Sequence, residues 1–342
     1  MSGVGVSAFT TFKRRRVLVT GGTGFLGAWL VEELLEAGAH VVVLVRDRPR
    51  RCRFFADQLD ARVDQVFGDI LDLELLIRTL NEFEVETVFH LAAQAIVPVA
   101  NVHPLSTFRT NVEGTWNLLE ACRVAGKRVR RVVIASSDKA YGQADQLPTR
   151  EDSPLAGRFP YDVSKSCADL ISTSYHASFG LPVAVTRCGN FFGGGDFNTS
   201  RLVPGAILSL LRGEPPVIRS DGTLVRDWIF VRDGAHAYLT LAEAMERGTG
   251  MGQAYNFSYG VQHSALELVR LLARLTGREG LEPKILGEAH HEIPHQYLDA
   301  GRARRELAWE ARWGLEEGLR MTIDWYRRQA EAGGLDELAA TV

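Results

Sequence analysis

The sequence predicts an α/β protein in which a doubly wound parallel sheet is followed by a smaller C-terminal lobe. Short apolar runs alternate with amphipathic helical segments from Val17 onward, and a glycine-rich turn connects the first run to the first helix. Alternation at this spacing is typical of parallel strands joined by helices that cover both faces of the sheet. Beyond Asn190 the pattern becomes irregular and richer in glycine, proline and arginine, which indicates a second, smaller unit.

The predicted elements follow one another in a regular order. The first strand begins at Val17, and the first helix runs to about Ala37, where Gly38 stops it. Further strands are predicted at 41–45, 63–67, 88–91, 131–135 and 182–187, and helices at 73–83, 112–125 and 163–179. We expect the wound sheet to end near Arg187. The second lobe is predicted to contain helices at 202–212, 265–276 and 315–328.

The composition excludes several classes of protein. The 342 residues are 46% hydrophobic, and 39 basic against 42 acidic residues give a net charge of −3, which implies no nucleic-acid or membrane partner. The four cysteines are widely separated and form no metal or redox motif, so we expect no metal. The basic cluster 13–16 precedes an apolar stretch that glycines interrupt, and no segment reaches the ~18 apolar residues of a membrane span. We expect a cytoplasmic protein.

The glycine turn predicts a dinucleotide site. Gly21, Gly24 and Gly27 form a G-x-x-G-x-x-G arrangement between a strand and a helix. Glycines allow a tight turn and close backbone approach, and the helix N-terminus supplies N–H groups and a positive dipole end for a pyrophosphate. A glycine triplet alone is weak evidence, because turns collect glycine for steric reasons, but its place in a βαβ unit makes it specific. The residues expected to contact the cofactor here are Gly21, Thr23, Gly24, Phe25, Leu26 and Gly27.

Three later strand ends complete the predicted cofactor site. Where an acidic residue would bind the ribose hydroxyls, the chain has Arg46 followed by Asp47. An arginine there suits a ribose 2′-phosphate, so NADP is favoured over NAD, the alternative being a solvated arginine. Asp69 and Ile70 follow the third strand and are expected near the adenine. The segment Leu91-Ala92-Ala93-Gln94 follows the fourth and lets the backbone approach the cofactor.

These features give a Rossmann-type fold and a division of the chain. We expect a flexible leader at 1–15, an NAD(P)-binding domain with the catalytic residues at 16–188, a mainly substrate-binding lobe at 189–330 and a tail at 331–342.

A tyrosine and a lysine at helical spacing indicate catalysis. Tyr161 and Lys165 are four residues apart at the start of a predicted helix, so both project from one face. This spacing is common by chance, but here it follows a dinucleotide motif and the strand end that carries Ser137. Lys165, held near a cationic nicotinamide, would help to lower the pKa of Tyr161 until its phenolate can take a proton from a sugar hydroxyl. Ser137 would orient that hydroxyl.

With these motifs the chain closely resembles the extended short-chain dehydrogenase/reductase family over about residues 16–328. The resemblance rests on Gly21-x-x-Gly24-x-x-Gly27, Gly68-Asp69-Ile70, His90-Leu91-Ala92-Ala93, Asn111-Val112-x-Gly114-Thr115 and Tyr161-x-x-x-Lys165. After the catalytic serine, Asp138-Lys139 is similar to the acid and base of sugar-nucleotide 4,6-dehydratases, above all the CDP-glucose enzymes and the inverting UDP-N-acetylglucosamine enzymes.

Two further stretches, 90–94 and 189–196, favour the CDP-glucose branch. The segment 226–231 instead resembles epimerases and dTDP-glucose or GDP-mannose enzymes, which leaves the nucleotide base open. The resemblance implies a nucleotide-diphosphate sugar as substrate, bound by Gln94, Ser137, Asn190, Arg201, Leu202 and Arg226.

Several alternatives remain at this point. A 4-epimerase would share the cofactor and Ser/Tyr/Lys features but would not need Asp138 and Lys139, which could instead form an ordinary salt bridge in a turn. A decarboxylase, or a non-catalytic NADP-binding sensor, is a further alternative. The helices at 112–125 and 163–179 resemble those that pair across a two-fold axis in the family, so a homodimer is expected, with a tetramer as the alternative.

Overall fold

The computed structural model describes residues 9–288 and 293–333. Within these ranges the strands are β1 (Arg16–Thr20), β2 (His40–Val45), β3 (Asp64–Phe67), β4 (Thr87–His90), β5 (Arg131–Ala135), β6 (Val183–Cys188), β7 (Asn190–Phe192), β8 (Val217–Ile218), β9 (Val225–Arg226), β10 (Trp228–Phe230), β11 (Ala254–Phe257), β12 (His263–Ser264), β13 (Lys284–Ile285) and β14 (His295–Gln296). The helices are α1 (Phe25–Glu36), α2 (Arg53–Ala56), α3 (Leu73–Glu82), α4 (Val97–Val102), α5 (Pro104–Phe108), α6 (Gly114–Ala125), α7 (Pro160–Phe179), α8 (Leu202–Arg212), α9 (Val231–Glu246), α10 (Ala265–Thr276), α11 (Gly301–Leu307) and α12 (Gly314–Gly333).

The central sheet has seven parallel strands in the order β11-β6-β5-β4-β1-β2-β3. The chain therefore proceeds in one direction from β1 to β3 and in the other from β4 onward. The strand order reverses between β1 and β4, and ligands of such sheets bind in the crevice beyond the carboxyl ends of the strands at this point. The predicted doubly wound α/β fold is confirmed.

Alternation along the buried strands divides the core into two layers. On β1, Val17 and Val19 join a cluster with α1 and α9, whereas Leu18 joins a cluster with α3 and α6 on the opposite face. Successive side chains of a strand point to opposite faces, and a parallel sheet covered on both sides therefore reads as a continuous apolar run. This is why the apolar runs located most of the strands.

The sequence predicted that the central sheet would end near Arg187, in β6. This prediction is wrong, because the sheet continues beyond β6. Strand β11 returns from the C-terminal half of the chain and pairs with β6, and α9 packs on the same face as α1. The four residues of β11 are too few for a clear periodicity, and they include the polar Asn256. That amide is fully buried and donates hydrogen bonds to the carbonyl oxygens of Thr149 and Asp299.

The smaller lobe is built from short strands and helices with a core of its own. Three small sheets, β7–β10, β12–β9–β14 and β8–β13, are accompanied by α8, α10 and α12. In the described part of the chain, no helix combines the length and the apolar character that crossing a bilayer requires.

Candidate active site

A large cleft separates the carboxyl edge of the sheet from the smaller lobe. Its volume is about 1310 Å³, which is large for a small-molecule site. Apart from Gln94, every residue predicted to contact cofactor or substrate, or to act in catalysis, lines this cleft. The structure thus brings together side chains that are up to about 200 positions apart in the sequence, as the fold class predicts.

The glycine turn leaves no space for larger residues. Gly21 has φ +73°, and a Cβ atom on it would lie 2.6 Å from the backbone nitrogen of Ala92. A Cβ atom on Gly27 would lie 2.1 Å from the carbonyl oxygen of Gly21. Helix α1 begins immediately after Gly24, so its first turn, whose N–H groups have no partner within the helix, opens on the cleft. These backbone features fit a pyrophosphate.

The ribose end of the cleft carries both signs of charge. The guanidinium of Arg46 donates a 2.8 Å hydrogen bond to the carboxylate of Asp47, and both side chains are exposed. Arg46 therefore lines the site, but its guanidinium is already paired with a carboxylate. Asp69 lines the cleft as predicted, and its carboxylate accepts a hydrogen bond from the Leu71 N–H. Ile70 also lines the cleft.

Gln94 is the one predicted contact that lies outside the cleft lining. Its side-chain oxygen accepts a hydrogen bond from the Ile96 N–H. Its backbone is held by Asn111, which accepts from the Gln94 N–H at 2.7 Å and donates to the Gln94 carbonyl oxygen at 3.1 Å. Asn111 also donates to Ser164 on α7. The role of Gln94 in binding stays a prediction. Asn111 holds this loop in place, although the sequence analysis quoted it only as part of a motif.

Tyr161 and Lys165 lie in the first turns of α7, below the end of β5. The Lys165 Nζ donates a 2.7 Å hydrogen bond to the Ala135 carbonyl oxygen and lies 6.0 Å from the centre of the Tyr161 ring. Burial lowers the pKa of Lys165 to about 8. Burial raises the pKa of Tyr161 to about 12, and hydrogen bonding to Ser137 opposes that rise. A phenol in this state needs a nearby positive charge before it can lose its own proton and act as a base.

Ser137 begins a short turn that presents Asp138 and Lys139 to the cleft. Its hydroxyl oxygen accepts a hydrogen bond from the Lys139 N–H and donates to Asp138 Oδ1 at 3.0 Å. Asp138 is buried, and its Oδ2 has no hydrogen-bond partner among the described residues. Burial raises the pKa of this carboxyl, although the charge of Lys139 opposes the change. Among the ion pairs of the described residues none joins Asp138 to Lys139, although the charge of Lys139 acts on the Asp138 carboxyl.

The smaller lobe contributes cationic and amide side chains. Asn190 lies at the start of β7, directly beside Trp228 of β10. Arg226 is buried at the end of β9, where its Nη1 donates to the carbonyl oxygens of Val225 and Pro294. Arg201 and Leu202 stand at the start of α8, and Arg201 pairs with Asp196 at 3.2 Å.

Sequence reasoning missed two acidic groups near the site. Asp196 lines the cleft, and burial raises the pKa of its carboxyl despite the pairing with Arg201. Burial likewise raises the pKa of Asp227 to about 7, against hydrogen bonds from Leu298 and Ser258, and the nearby Asp138 adds to the rise. Both aspartates lie in stretches that the sequence analysis quoted, 189–196 and 226–231, but neither had been given a role of its own.

Comparison with known proteins agrees with this geometry. The sequence profile of the NAD dependent epimerase/dehydratase family matches residues 17–258. The CDP-glucose 4,6-dehydratase of Salmonella typhimurium is 33% identical over 329 residues, covering 92% of this chain and 90% of that protein. The dTDP-glucose 4,6-dehydratase of Xanthomonas campestris is 32% identical, covering 90% of this chain and 92% of that protein.

Solved structures of both dehydratases and epimerases are similar. The dTDP-glucose 4,6-dehydratase of Streptomyces venezuelae, solved with NAD bound, is 31% identical with a TM-score of 0.84 over 94% of this chain and 99% of that one. The UDP-glucose 4-epimerase of Thermotoga maritima, solved with UDP-glucose, is 29% identical with a TM-score of 0.84 over 92% of this chain and 99% of that one.

Proposed function

The chain belongs to the NAD dependent epimerase/dehydratase family, and we propose that it is a nucleotide-sugar 4,6-dehydratase that forms a 4-keto-6-deoxy sugar nucleotide. The observation that carries this proposal is the pair Asp138 and Lys139 beside Ser137. A buried carboxyl whose pKa is raised is suited to donate a proton to a leaving hydroxyl, and a neighbouring amine is suited to accept one. An epimerase needs neither group.

The cofactor of the proposed reaction is NAD or NADP, which accepts a hydride from the sugar and later returns it. This cofactor would be held by the glycine turn, Asp69 and the 91–93 segment, which all line the cleft. At the glycine turn the absence of side chains lets the backbone come close to a bound phosphate. Arg46 favours the 2′-phosphate of NADP, whereas its partner Asp47 opposes it. The dTDP-glucose 4,6-dehydratases of Streptomyces venezuelae and Bacillus anthracis were solved with NAD, so the proposed preference for NADP rests on Arg46 alone.

The first step is oxidation at sugar carbon 4. Tyr161 takes the proton of the carbon 4 hydroxyl while the hydride leaves that carbon. Lys165, whose Nζ is anchored on Ala135, adds positive charge beside the phenol, and a positively charged nicotinamide would add more. The resulting ketone makes the proton on carbon 5 acidic.

The second step is elimination of water across carbons 5 and 6. Lys139 removes the proton from carbon 5, and Asp138 gives a proton to the carbon 6 hydroxyl, which leaves as water. The bound cofactor would supply the hydride for carbon 6, and Lys139 returns its proton to carbon 5. This role requires Lys139 to be neutral when it acts and Asp138 to be protonated; the raised pKa of Asp138 supports the second requirement.

The substrate is proposed to be a CDP-glucose-like nucleotide sugar. The resemblance to CDP-glucose 4,6-dehydratase extends over 92% of the chain, while the segment 226–231 keeps dTDP and UDP sugars in consideration. Arg226 and Arg201 would contact the diphosphate, because guanidinium groups bind phosphate oxygens in a bidentate manner. Asn190 would contact the sugar or the diphosphate from the same side of the cleft.

A homodimer is proposed as the working form, in the cytoplasm. Exposed apolar side chains on two adjacent helices support it: Trp116 on α6 is 43% exposed and Leu170 on α7 is 58% exposed. Large apolar side chains of this kind at a helix pair are typical of an interface.

The test is to incubate purified protein with CDP-, UDP-, dTDP- and GDP-sugars and to look by mass spectrometry for a product lighter by one water. We expect water loss from one of them, abolished in Lys139→Ala while the cofactor remains bound. Conversion without change of mass would instead establish the alternative, a 4-epimerase, which the structural similarity to UDP-glucose 4-epimerase favours.

A further inference from the structure

His90, the last residue of β4, is a buried histidine that the proposed mechanism does not use. Its imidazole is 3% exposed and lies between two threonine hydroxyls, with Nδ1 2.7 Å from Thr20 Oγ1 and Nε2 3.1 Å from Thr115 Oγ1. Thr20 ends β1, directly before the glycine turn, and Thr115 lies in the first turn of α6. The ring therefore joins the strand that leads into the expected cofactor site to a helix that covers one face of the sheet.

The directions of the hydrogen bonds fix the tautomer of this ring. The Thr115 hydroxyl donates its one proton to the Asn111 carbonyl oxygen at 2.6 Å, so toward His90 it can only accept. His90 therefore carries a proton on Nε2, and its Nδ1 is the acceptor. The Thr20 hydroxyl donates to that Nδ1 and accepts from the Ala92 N–H at 3.3 Å. With the proton on Nδ1 instead, lone pairs of Nε2 and of the Thr115 oxygen would face each other.

A cationic ring does not fit this arrangement. A second proton would turn Nδ1 into a donor, and the Thr20 hydroxyl has no other acceptor for its own proton within the described parts of the chain. Burial lowers the pKa of His90 to about 3, and the charge of Lys165 adds to the change. The ring is therefore neutral near pH 7, and its hydrogen bonds keep one direction.

Asn111 extends the same hydrogen-bonded unit to the helix of the proposed base. Its amide nitrogen donates to Ser164 Oγ at 2.9 Å, and that hydroxyl donates to the Tyr161 carbonyl oxygen at 2.7 Å. The Asn111 side chain also holds the backbone N–H and carbonyl oxygen of Gln94. One unit therefore contains the end of β1, the loop that is expected at the cofactor and the first turn of α7.

Resting on the oxidation step of the proposed function, we infer that His90 is a positioning residue that sets the place of the Tyr161 phenol relative to the cofactor. It acts as the neutral imidazole with its proton on Nε2, and it is not among the residues that line the cleft. Oxidation needs the phenol and the nicotinamide at one sugar carbon, and misplacing reacting groups by about 1 Å can cost about 10²-fold in rate. The arginines proposed to contact the diphosphate, Arg201 and Arg226, lie outside the unit, so binding of the nucleotide sugar should not depend on His90.

The test compares His90→Leu, which removes both hydrogen bonds of the ring, with His90→Gln, whose amide offers one acceptor and two donors. Both variants are first shown by circular dichroism to be folded and are assayed with saturating cofactor. For His90→Leu we expect kcat to fall about 10²-fold, with KM for the nucleotide sugar changed less than about twofold. His90→Gln should recover at least about tenfold of that loss. The control is His236→Leu, which removes an imidazole without hydrogen-bond partners among the described residues and should keep the wild-type kcat.

Two further measurements separate positioning from a general weakening of the fold. With the sugar deuterated at carbon 4, the isotope effect on kcat should be no smaller in His90→Leu than in the wild type, because the slowed step is the one that breaks this bond. In ¹⁵N spectra of wild-type protein with labelled histidines, His90 should show a bare Nδ1 and a protonated Nε2 near pH 7. This second measurement needs no variant, so it holds even where a substitution prevents folding.

The inference is overturned by a folded His90→Leu with wild-type kcat, by a smaller isotope effect, by a His90→Gln no faster than His90→Leu, or by a protonated Nδ1 in the wild type. Failure of the proposed function looks different, because it appears in the wild type before any variant is made. Conversion of a nucleotide sugar without loss of water would overturn the dehydratase but leave the oxidation step, and the tests on His90, as they stand. A wild-type protein that oxidises no nucleotide sugar would overturn the proposed function and the positioning role together.

Discussion

Arg187 on β6 and Asp169 on α7 form a buried two-pronged ion pair, with Nε to Oδ2 at 2.7 Å and Nη2 to Oδ1 at 2.9 Å. The remaining guanidinium nitrogen, Nη1, donates to the Tyr141 hydroxyl at 2.7 Å. Tyr141 is the last residue of the turn that presents Asp138 and Lys139. The pair therefore ties the turn that carries the proposed acid and base to α7, the helix that carries Tyr161.

Replacing one member of this pair should destabilise the fold. Arg187→Leu leaves the Asp169 carboxylate buried without its partner, which typically costs about 3–5 kcal/mol of unfolding free energy. Urea denaturation measures the loss. The double variant Arg187→Leu with Asp169→Leu should lose less than the sum of the single variants, because no charge is left uncompensated.

The exposed pair Arg327–Asp324 on α12 provides the matched control. Its atoms are 3.3 Å apart, but both side chains are about half exposed. Arg327→Leu should cost less than about 1 kcal/mol, because water screens such pairs. Equal losses of unfolding free energy in Arg187→Leu and Arg327→Leu would show that the buried pair stabilises the fold no more than an exposed pair does.

Asp138→Asn should separate the oxidation of the sugar from the loss of water. The amide keeps the shape of the side chain but is a poor acid, so turnover should fall by about 10²–10⁴-fold. The hydride then has no carbon 6 acceptor to return to, and reduced cofactor should accumulate, which its absorbance reports. Asp145→Asn, at an exposed position, is the control. Unchanged formation of a dehydrated product would remove Asp138 from the mechanism.

The raised pKa of Asp138 also predicts the sign of a pH dependence. The elimination requires the protonated carboxyl, so its rate should decrease as the pH rises through that pKa. The measurement is the single-turnover rate of water loss as a function of pH. Asp138→Glu places a different carboxyl on the turn and should displace this alkaline limb. If the alkaline limb lies at the same pH in Asp138→Glu as in the wild type, it reports the ionisation of a group other than Asp138.

Arg46 and Asp47 should have opposite effects on cofactor choice. Arg46→Ala removes the positive charge that suits a 2′-phosphate, and should weaken NADP binding more than NAD binding. Asp47→Asn removes a repulsive charge, and should strengthen NADP binding. Calorimetry with the two cofactors gives the ratio of affinities for each variant. Equal changes for NAD and NADP in Arg46→Ala would show that Arg46 does not contact the 2′ position.

The sequence predicted which residues would meet in one cleft better than it predicted the edge of the central sheet. The glycine turn and the Tyr161–Lys165 pair are local patterns, in which a few residues at fixed spacing specify one backbone geometry, and both lie where they were predicted. Strand β11 was missed because its place in the sheet depends on a distant contact, the packing of Asn256 beside Thr149 and Tyr141. The raised pKa of Asp138 likewise depends on the burial of its carboxyl, which the identities of two adjacent residues do not reveal.

His236 on α9 should make the protein sensitive to acid. Neither of its ring nitrogens has a hydrogen-bond partner among the described residues, and its ring lies 4.7 Å from that of Phe9. Burial lowers its pKa to about 3, with a contribution from Arg312. An unfolded histidine titrates near 6.5, so between these values the unfolded chain binds a proton that the folded chain does not. The stability that comes from the neutral ring is complete above about pH 6.5 and is lost progressively as the pH falls toward 3.

His236→Phe should remove this acid sensitivity, because phenylalanine keeps an aromatic ring beside Phe9 and cannot be protonated. We expect similar unfolding free energies for the variant and the wild type at about pH 7, and a more stable variant at about pH 4.5, measured by urea denaturation. His40→Phe, at an exposed position, should leave the difference in unfolding free energy between the two pH values unchanged.

His90 is a second buried histidine, which lies between the hydroxyls of Thr20 and Thr115, and burial also lowers its pKa to about 3. Part of the acid sensitivity must therefore survive in His236→Phe, and a variant that lost stability with pH as steeply as the wild type would show that His90 and other groups account for all of it.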